Sequence, residues 1–564
     1  MELWWSRAER LRWELSELAR LGFRYDPSGD LEAPGPFSLR VYAPWRNEEL
    51  ALEVTFPELY PYFRCEVRAE DLNLPHHQNP FRKNLCLLGR GTDQWSTSDS
   101  LAWLLTDQMS KLAEALDADT DSAAAALEEQ QGEPVSDYYS YKIGDVVLVD
   151  SSWRIPPEFD RGRIKLEYAP HREGQPFRAV VTEITWRHGS LYRAPDHLLG
   201  LFPEALEGEI ARLDQPLLVD DPDEFQQRLV REGKWQGRWY GPADSQCQVL
   251  GVVFPEEGSW RGESGQGWLF VVGTKAKRAH HANYRFVRAD RAGALDLTSR
   301  APELRPLREH KVAVVGLGCL GAPSALEFAR AGVGELRLLD RDRADAAGSI
   351  RWPFGLSWAG LAKSEILYSF IRSHYPLTKP TGIIHSLGDS GQDISALNAV
   401  LNGATLVYDA AAEIGISYVL AEWARHAGIP YVGVWSLQGA WGGQVARLLP
   451  GGATGCWYCL QRAKTEGQIP APPHDPKGWF QPTGCADPTF WGAGFDLSSI
   501  ALAGVRLAVA TMLAGQEAYP SSPDDVLVLS WRDGQGALIT PQIKGFRLSP
   551  FSDCPVCGSQ VVSG

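Results

Sequence analysis

The stretch from Lys311 to Asp340 constrains the fold more than any other part of the chain. An apolar run, KVAVV, leads directly into Gly316, Gly318 and Gly321. A helix-like segment, LGAPSALEFARAG, follows, and a second run, ELRLLD, ends on Asp340. Glycines at these positions permit a tight turn and close backbone approach. A helix beginning there offers free N–H groups to phosphate, and an acidic residue at the end of the second strand can take ribose hydroxyls. Residues 300–564 should therefore hold a Rossmann-like, doubly wound parallel sheet with a nucleotide at Gly316, Gly318, Gly321 and Asp340.

The charges downstream narrow the nucleotide. Asp342 follows Asp340, Arg351 lies eleven residues after Asp340, Lys363 opens the helix KSEILYSFIRS, and Asp409 ends the strand LVYDAA. A hydride-transfer site needs little cationic help beyond the pyrophosphate. Adenylation must stabilise a triphosphate and its leaving pyrophosphate with Arg, Lys and a carboxylate-held Mg²⁺. The set fits ATP and adenylyl transfer, and with these residues the segment resembles the ThiF/MoeB and ubiquitin-activating superfamily. The resemblance implies ribose binding by Asp340, phosphate binding by Arg351 and Lys363, a Mg²⁺ ligand in Asp409, and a homodimer. Gly348 stands where that family carries an Asn before its Arg.

Cysteine spacing adds a metal. Cys456-x-x-Cys459 and Cys554-x-x-Cys557 are two knuckles whose four thiolates would complete a closed tetrahedral Zn²⁺ shell, a structural site with no open ligand position. Cys485 sits in a loop, PTGCADPTFWG, ahead of the apolar helix DLSSIALAGVRLAVATML. In thioester-forming members of the family a cysteine near this place attacks the acyl adenylate, so the resemblance implies that Cys485 is the nucleophile. Cys319, Cys247 and Cys65 read as packing residues.

A second resemblance covers residues 1–116. FPELYPYFRCEV, then HHQNPFRKNLCLLGRGTDQWS, then a helix place Phe56, Pro57, Tyr60, Pro61, His77, Asn79, Cys86, Trp95 and Ser96 in the order of the ubiquitin-conjugating fold. It implies an acyl-carrying Cys86 and an oxyanion-stabilising Asn79. Gln78 replaces the family's central Pro, and Asn79 lies one residue closer to the cysteine than usual. His77 reads more readily as a structural hydrogen-bonding residue than as an acid or base.

Between these ends, Asp117–Asp137 shifts to Ala, Asp, Glu and Gln and reads as a linker. Residues 138–299 carry Val- and Trp-rich strand runs, DVVLVD, RAVVTEITW, QVLGVVF and WLFVVG, the pattern of a β-rich middle domain. Its role is open among spacer, docking platform and degenerate dimer module. At 564 residues the whole is a multidomain α/β protein. A net charge of −15 argues against nucleic acid. The most apolar helix, near Ile500–Ala514, is interrupted by Arg506 and reads as too short for a membrane span, so a cytoplasmic location is expected.

Together the two resemblances imply a fused conjugating–activating enzyme of bacterial ubiquitination-like or anti-phage operons, including the CBASS-associated fusion. Its partners would be a modifier protein presenting its C-terminus and a target protein amine. Two alternatives stay open: a sulfur-carrier adenylyltransferase, and a scaffold whose N-terminal fold binds a modifier without carrying it.

Overall fold

The computed structural model describes residues 7–28, 30–33, 35–46, 48–88, 94–117, 131–170, 175–187, 189–240, 245–276, 282–388, 391–480 and 489–558. The chain divides into two compact units, Met1–Gly293 and Ala294–Gly564.

The first unit opens with helix α1 (Arg7–Arg20), whose Leu11 and Leu18 are buried. Four antiparallel strands follow in the order β1 (Arg24–Ser28), β2 (Phe37–Trp45), β3 (Glu48–Phe56) and β4 (Glu66–Arg68). In β2 the alternate residues Phe37, Leu39, Val41, Ala43 and Trp45 are buried, the period of two that a sheet with one covered face requires. Ser100 caps the closing helical stretch by accepting the Trp103 N–H, and a π turn, Leu104–Gln108, precedes helix α2 (Met109–Asp117). Glu14 of α1 is buried here, where it accepts from the Tyr60 hydroxyl and the Leu101 amide and pairs with Arg10.

The same unit contains a β structure of eight strands: β5 (Tyr141–Val149), β6 (Arg161–Tyr168), β7 (Arg178–Trp186), β8 (Gly189–Arg193), β9 (Glu204–Arg212), β10 (Ser245–Glu257), β11 (Ser264–Ala276) and β12 (Asn283–Arg291). Their order is β5-β12-β11-β10-β9-β6-β7-β8, and β5 also pairs with β7, so seven of them close into a barrel with β8 on its flank. Three of the pairings, β5–β12, β5–β7 and β9–β10, are parallel. Strand β10 is covered on both faces. Val249 and Val253 join one apolar cluster, while Leu250, Val252 and Phe254 join another beneath helix α3 (Pro222–Arg231). Double coverage explains why its sequence is a continuous apolar run rather than an alternating one.

The second unit is built on an eight-stranded sheet of β13 (Lys311–Val315), β14 (Glu335–Asp340), β15 (Lys379–Ile384), β16 (Leu406–Asp409), β17 (Tyr431–Ser436), β18 (Gly442–Leu448), β21 (Val526–Arg532) and β22 (Leu538–Phe546); a two-residue hairpin pairs β19 (Trp479–Phe480) with β20 (Thr489–Phe490). The order is β15-β14-β13-β16-β17-β18-β21-β22. The five strands from β15 to β17 are parallel, as the alternating pattern predicts. From β17 onward the pairing is antiparallel, which corrects the expectation of a wholly parallel sheet. Helices α4 (Gly321–Arg330), α5 (Lys363–His374), α6 (Asp393–Leu401), α7 (Ile414–Ala427), α8 (Trp457–Thr465) and α9 (Gly494–Met512) complete the unit.

Helix α9 corrects a second expectation. At 19 residues it is long and apolar enough by composition to cross a membrane, but Leu497, Ile500, Ala501, Ala508 and Val509 lie in the core of the unit. Its burial, not its length, marks it as a core helix.

Candidate active site

Strand β13 delivers the chain to Gly316 at φ +84°, a left-handed conformation that favours glycine. A Cβ at Gly316 would lie 2.6 Å from the Ala410 carbonyl, and one at Gly321 would lie 1.8 Å from the Gly316 oxygen. The turn is therefore pressed against both its own helix and the end of β16. Gly318 differs: nothing lies within 4 Å of a Cβ placed there. Two glycines are needed for packing, and the third leaves open space beside the start of α4, whose N-terminus carries no side-chain cap.

Asp340 is buried at the end of β14. Its Oδ2 accepts the Leu317 N–H of the glycine turn at 2.5 Å, and its Oδ1 accepts the Asp342 N–H at 2.6 Å. Burial pushes its carboxyl above the ordinary range, opposed by Lys363 and by those two amides. Lys363 Nζ reaches Asp342 Oδ2 at 3.0 Å, and the Lys363 backbone N–H donates to the Asp342 carbonyl. Trp352, which the sequence reading passed over, donates its Nε1–H to the Leu317 carbonyl at 2.8 Å. Gly316–Gly321, Asp340, Asp342 and Lys363 thus form one hydrogen-bonded series at the carboxyl ends of β13 and β14, where doubly wound sheets bind ligands.

Arg351 joins this series through its neighbour Trp352, but its guanidinium points elsewhere. It donates to the Phe490 carbonyl at 2.5 Å and to Thr489 Oγ1 at 2.9 Å, both on β20. Strand β20 directly follows residues 481–488, so Cys485 lies outside the described residues. Gly348 has only Asp345 Cβ near the position of a Cβ, at 3.9 Å, so a Cβ there meets no clash.

Asp409, which the resemblance makes a Mg²⁺ ligand, lies at the end of β16. It is fully buried, and its carboxylate already accepts from Ser417 Oγ and Tyr431 OH, each at 2.6 Å, and from the Ala411 N–H at 3.0 Å. These bonds tie the end of β16 to α7 and β17, and burial raises the Asp409 pKa. Ser417 and Tyr431 have no sequence signal that connects them to Asp409. Asp342 is the more exposed carboxylate of the series.

The four knuckle cysteines converge. Their sulfurs all lie within 4.8 Å of one another, with Cys456–Cys459 at 3.9 Å, Cys456–Cys554 at 3.6 Å and Cys459–Cys557 at 3.5 Å. A tetrahedral site with Zn–S bonds of about 2.3 Å has S–S edges of about 3.8 Å, so the set could hold a metal ion. Burial pushes the Cys459 thiol up to about 11. At Cys554 burial is outweighed by the Cys557 and Val556 amides and the neighbouring thiols, which bring it down to about 7.

In the first unit Cys86 is exposed, and its N–H donates to the His77 carbonyl at 2.8 Å. Asn79 Oδ1 accepts the Phe81 and Arg82 amides at 2.9 and 2.8 Å, so this side chain shapes the loop before Cys86. Gln78 is buried and bonded to Ala69 and Leu74, taking a structural place in that loop. Trp95 Nε1 donates to the Pro61 carbonyl at 2.7 Å. Cys65 and Cys247 are buried and Cys319 is partly so, with thiols pushed up by burial.

Residues 290–517 match the model of the ThiF family, so the C-terminal unit carries a ThiF-family domain. Across almost its full length the chain is 29% identical over 561 residues to protein y4oA of Sinorhizobium fredii, a protein described as uncharacterized, covering 94% of this chain and 93% of that one. A shorter similarity, 30% over 168 residues, links 29% of the chain to 58% of the SAMP-activating enzyme E1 of Haloferax volcanii. Among solved structures, Escherichia coli MccB with ATP aligns with 45% of this chain and 69% of its own at 18% identity and a TM-score of 0.35.

Proposed function

We propose that the second unit uses ATP to adenylate the C-terminal carboxylate of a ubiquitin-like modifier protein, and that the first unit receives the activated chain for transfer to a target amine. The observation that carries this reading is the cradle itself: an open Gly318 beside an uncapped helix N-terminus, tied through Leu317 and Asp340 to Asp342 and Lys363. Backbone donors would meet phosphate there, Asp340 would take the ribose, and Lys363 would supply positive charge where pyrophosphate departs, joined by Arg351 once its guanidinium leaves β20.

In the first step a carboxylate oxygen of the modifier attacks the α-phosphorus. An acyl–phosphate bond forms, the bond to the β-phosphate breaks, and pyrophosphate leaves. Mg²⁺, when bound, would offset charge on the triphosphate. Asp342 is the carboxylate of the series exposed enough to meet it, whereas Asp409 ties the end of β16 to α7 and β17. The thiolate of Cys485 then attacks the acyl carbon and releases AMP. The Cys86 thiolate displaces Cys485, and the target amine displaces Cys86 to leave an amide. Zn²⁺ on the four knuckle cysteines would be structural, and the homodimer and the setting in a bacterial ubiquitination-like or CBASS-type anti-phage operon extend the same reading.

The relatives support the first step: one of them is a SAMP-activating enzyme, and the ThiF-family match covers the cradle. The deciding measurement is ATP–pyrophosphate exchange by the full chain supplied with candidate modifiers. Exchange that depends on a modifier C-terminus and disappears in Lys363→Ala is expected. Exchange unaffected by removing the modifier's terminal residues would sink the substrate assignment. A non-reducing gel run on Cys86→Ser should show an ester-linked modifier, stable to thiol, in place of a thioester.

A further inference from the structure

The loop around a carrier cysteine must be held still, and one of the holds on the Cys86 loop comes from outside its own fold. Two residues of this loop adopt left-handed backbone, His77 at φ +62° and Lys83 at φ +61°. A residue other than glycine stays there only when its surroundings over-determine it. Lys83 is held from within: its N–H donates to the Asn79 carbonyl, its carbonyl accepts the Ala69 N–H, and its Nζ donates to Asn73. His77 is held differently. Its backbone N–H donates to Glu133 Oε2 at 2.9 Å, and its Nδ1 lies 3.5 Å from Glu133 Oε1. The carbonyl of the same His77 accepts the Cys86 N–H.

Glu133 belongs to the segment that leads into the barrel, and it is anchored there. Its N–H donates to Glu257 Oε2 at 2.7 Å, and Gly132 N–H donates to the Ser259 carbonyl. Tyr138 OH donates to Glu133 Oε2 at 3.0 Å. The barrel also meets this loop through His76 Nε2 and Glu257 at 3.2 Å, Phe81 and Tyr139 with ring centroids 4.9 Å apart, and Arg82 and Ser140 at 3.3 Å. Two hydrogen bonds in series therefore run from Glu133 through His77 to the amide of Cys86.

We infer that Glu133 is a positioning residue for Cys86: the barrel, through Glu133, holds His77 in its left-handed conformation and so sets the direction from which the Cys86 sulfur meets an acyl group. This rests on the reading of Cys86 as an acyl carrier and gives the middle β structure a part in that step. The anion accepts a backbone N–H and so acts on the path of the sulfur rather than on its accessibility.

The test uses the full chain and a small probe, the mercaptoethanesulfonate thioester of acetyl-Gly-Gly. Transfer forms a thioester to the Cys86 sulfur and releases mercaptoethanesulfonate, and mass spectrometry follows the mass gain on the peptide containing Cys86. Iodoacetamide, which needs little orientation, reports accessibility in parallel. Glu133→Ala should slow acyl transfer at saturating probe by about 10-fold or more while changing alkylation by less than about 3-fold, since misplacement acts on oriented reactions most. Glu133→Gln keeps an oxygen acceptor for the His77 N–H and should stay within about 3-fold of the parent. Tyr138→Phe should fall between them, and it decides the matter if Glu133→Ala does not fold. Equal transfer by Glu133→Ala and the parent, or a loss in Glu133→Gln as large as in Glu133→Ala, overturns the inference while leaving Cys86 as carrier. A parent chain that alkylates at Cys86 but gains no acyl group sinks the carrier reading, and the inference with it.

Discussion

The guanidinium of Arg351 and the hydroxyl of Thr489, 138 positions apart in sequence, are 2.9 Å apart in the structure. Arg351 is the residue read as a phosphate ligand, and Thr489 lies on the short strand that follows the segment containing Cys485. One guanidinium cannot hold both that strand and a triphosphate in the same geometry.

Removing the strand's hold should therefore favour the nucleotide. Thr489→Val is expected to tighten binding of a non-hydrolysable ATP analogue by about 2- to 10-fold, the worth of one ordinary hydrogen bond, by calorimetry. Weaker binding would mean that Arg351 stays on β20 when the nucleotide arrives.

The glycines make separable predictions. Gly318→Ala adds a methyl to open space, so the unfolding midpoint should be unchanged while nucleotide affinity falls by about 10-fold or more. Gly321→Ala meets the Gly316 carbonyl at 1.8 Å and should lower both. Thermal unfolding followed with and without nucleotide separates the two behaviours.

The thiol cluster should carry about one zinc per chain by elemental analysis, and Cys554→Ser should lose it. Loss should lower the unfolding midpoint of the C-terminal unit by about 5 °C or more, with no change in that of the first unit. A chain that binds no metal and melts normally would make these cysteines a reduced packing cluster.

Asp409 makes a pH prediction. Burial raises its folded pKa above the unfolded value, so its contribution is fully present below the ordinary carboxylate range and is lost as pH rises through the folded value. Asp409→Asn removes that dependence. The stability difference between variant and parent, measured by denaturant unfolding from pH 5 to 8, should move in favour of Asn as pH rises.

Asp525 tests the support of the cluster. It pairs with Arg447 at 3.1 Å with both side chains buried, and its other oxygen accepts the Leu548 N–H. Asp525→Ala leaves a buried guanidinium unpaired and should cost about 3–5 kcal/mol in denaturant unfolding.

Legibility followed the physics of burial. Strands β7, β10 and β11 stand out because doubly covered or alternating apolar positions leave a pattern in a single chain segment. Strands β6 and β9, RGRIKLEY and EALEGEIAR, were invisible because charged residues break up their apolar pattern: only Ile164 and Leu166 are buried in β6, and the buried run Gly208–Ala211 of β9 includes Glu209. The parallel half of the ThiF-family sheet was readable from glycine, strand and helix in sequence order. The antiparallel half was not, since its register depends on partners such as Val445 and Leu527 that lie far apart in the chain. At the site, Gly316, Asp340, Asp342 and Lys363 came together as read. Asp409 stands at the end of its strand as read, but its bonds to Ser417 and Tyr431 are a property of tertiary packing. Glu133 lay in a segment read only as linker, and nothing local distinguishes a solvated Glu from one that grips a distant backbone.

The thiol cluster also sets an order in time. Cys456 and Cys459 leave the ribosome 98 positions ahead of Cys554 and Cys557. At translation rates of about 5–20 residues per second, the first pair waits about 5–20 seconds with half a coordination shell. During that interval the two nascent thiols are open to oxidation and to borrowed metals, so a reducing surrounding and a buffered metal supply matter most while the chain is being made.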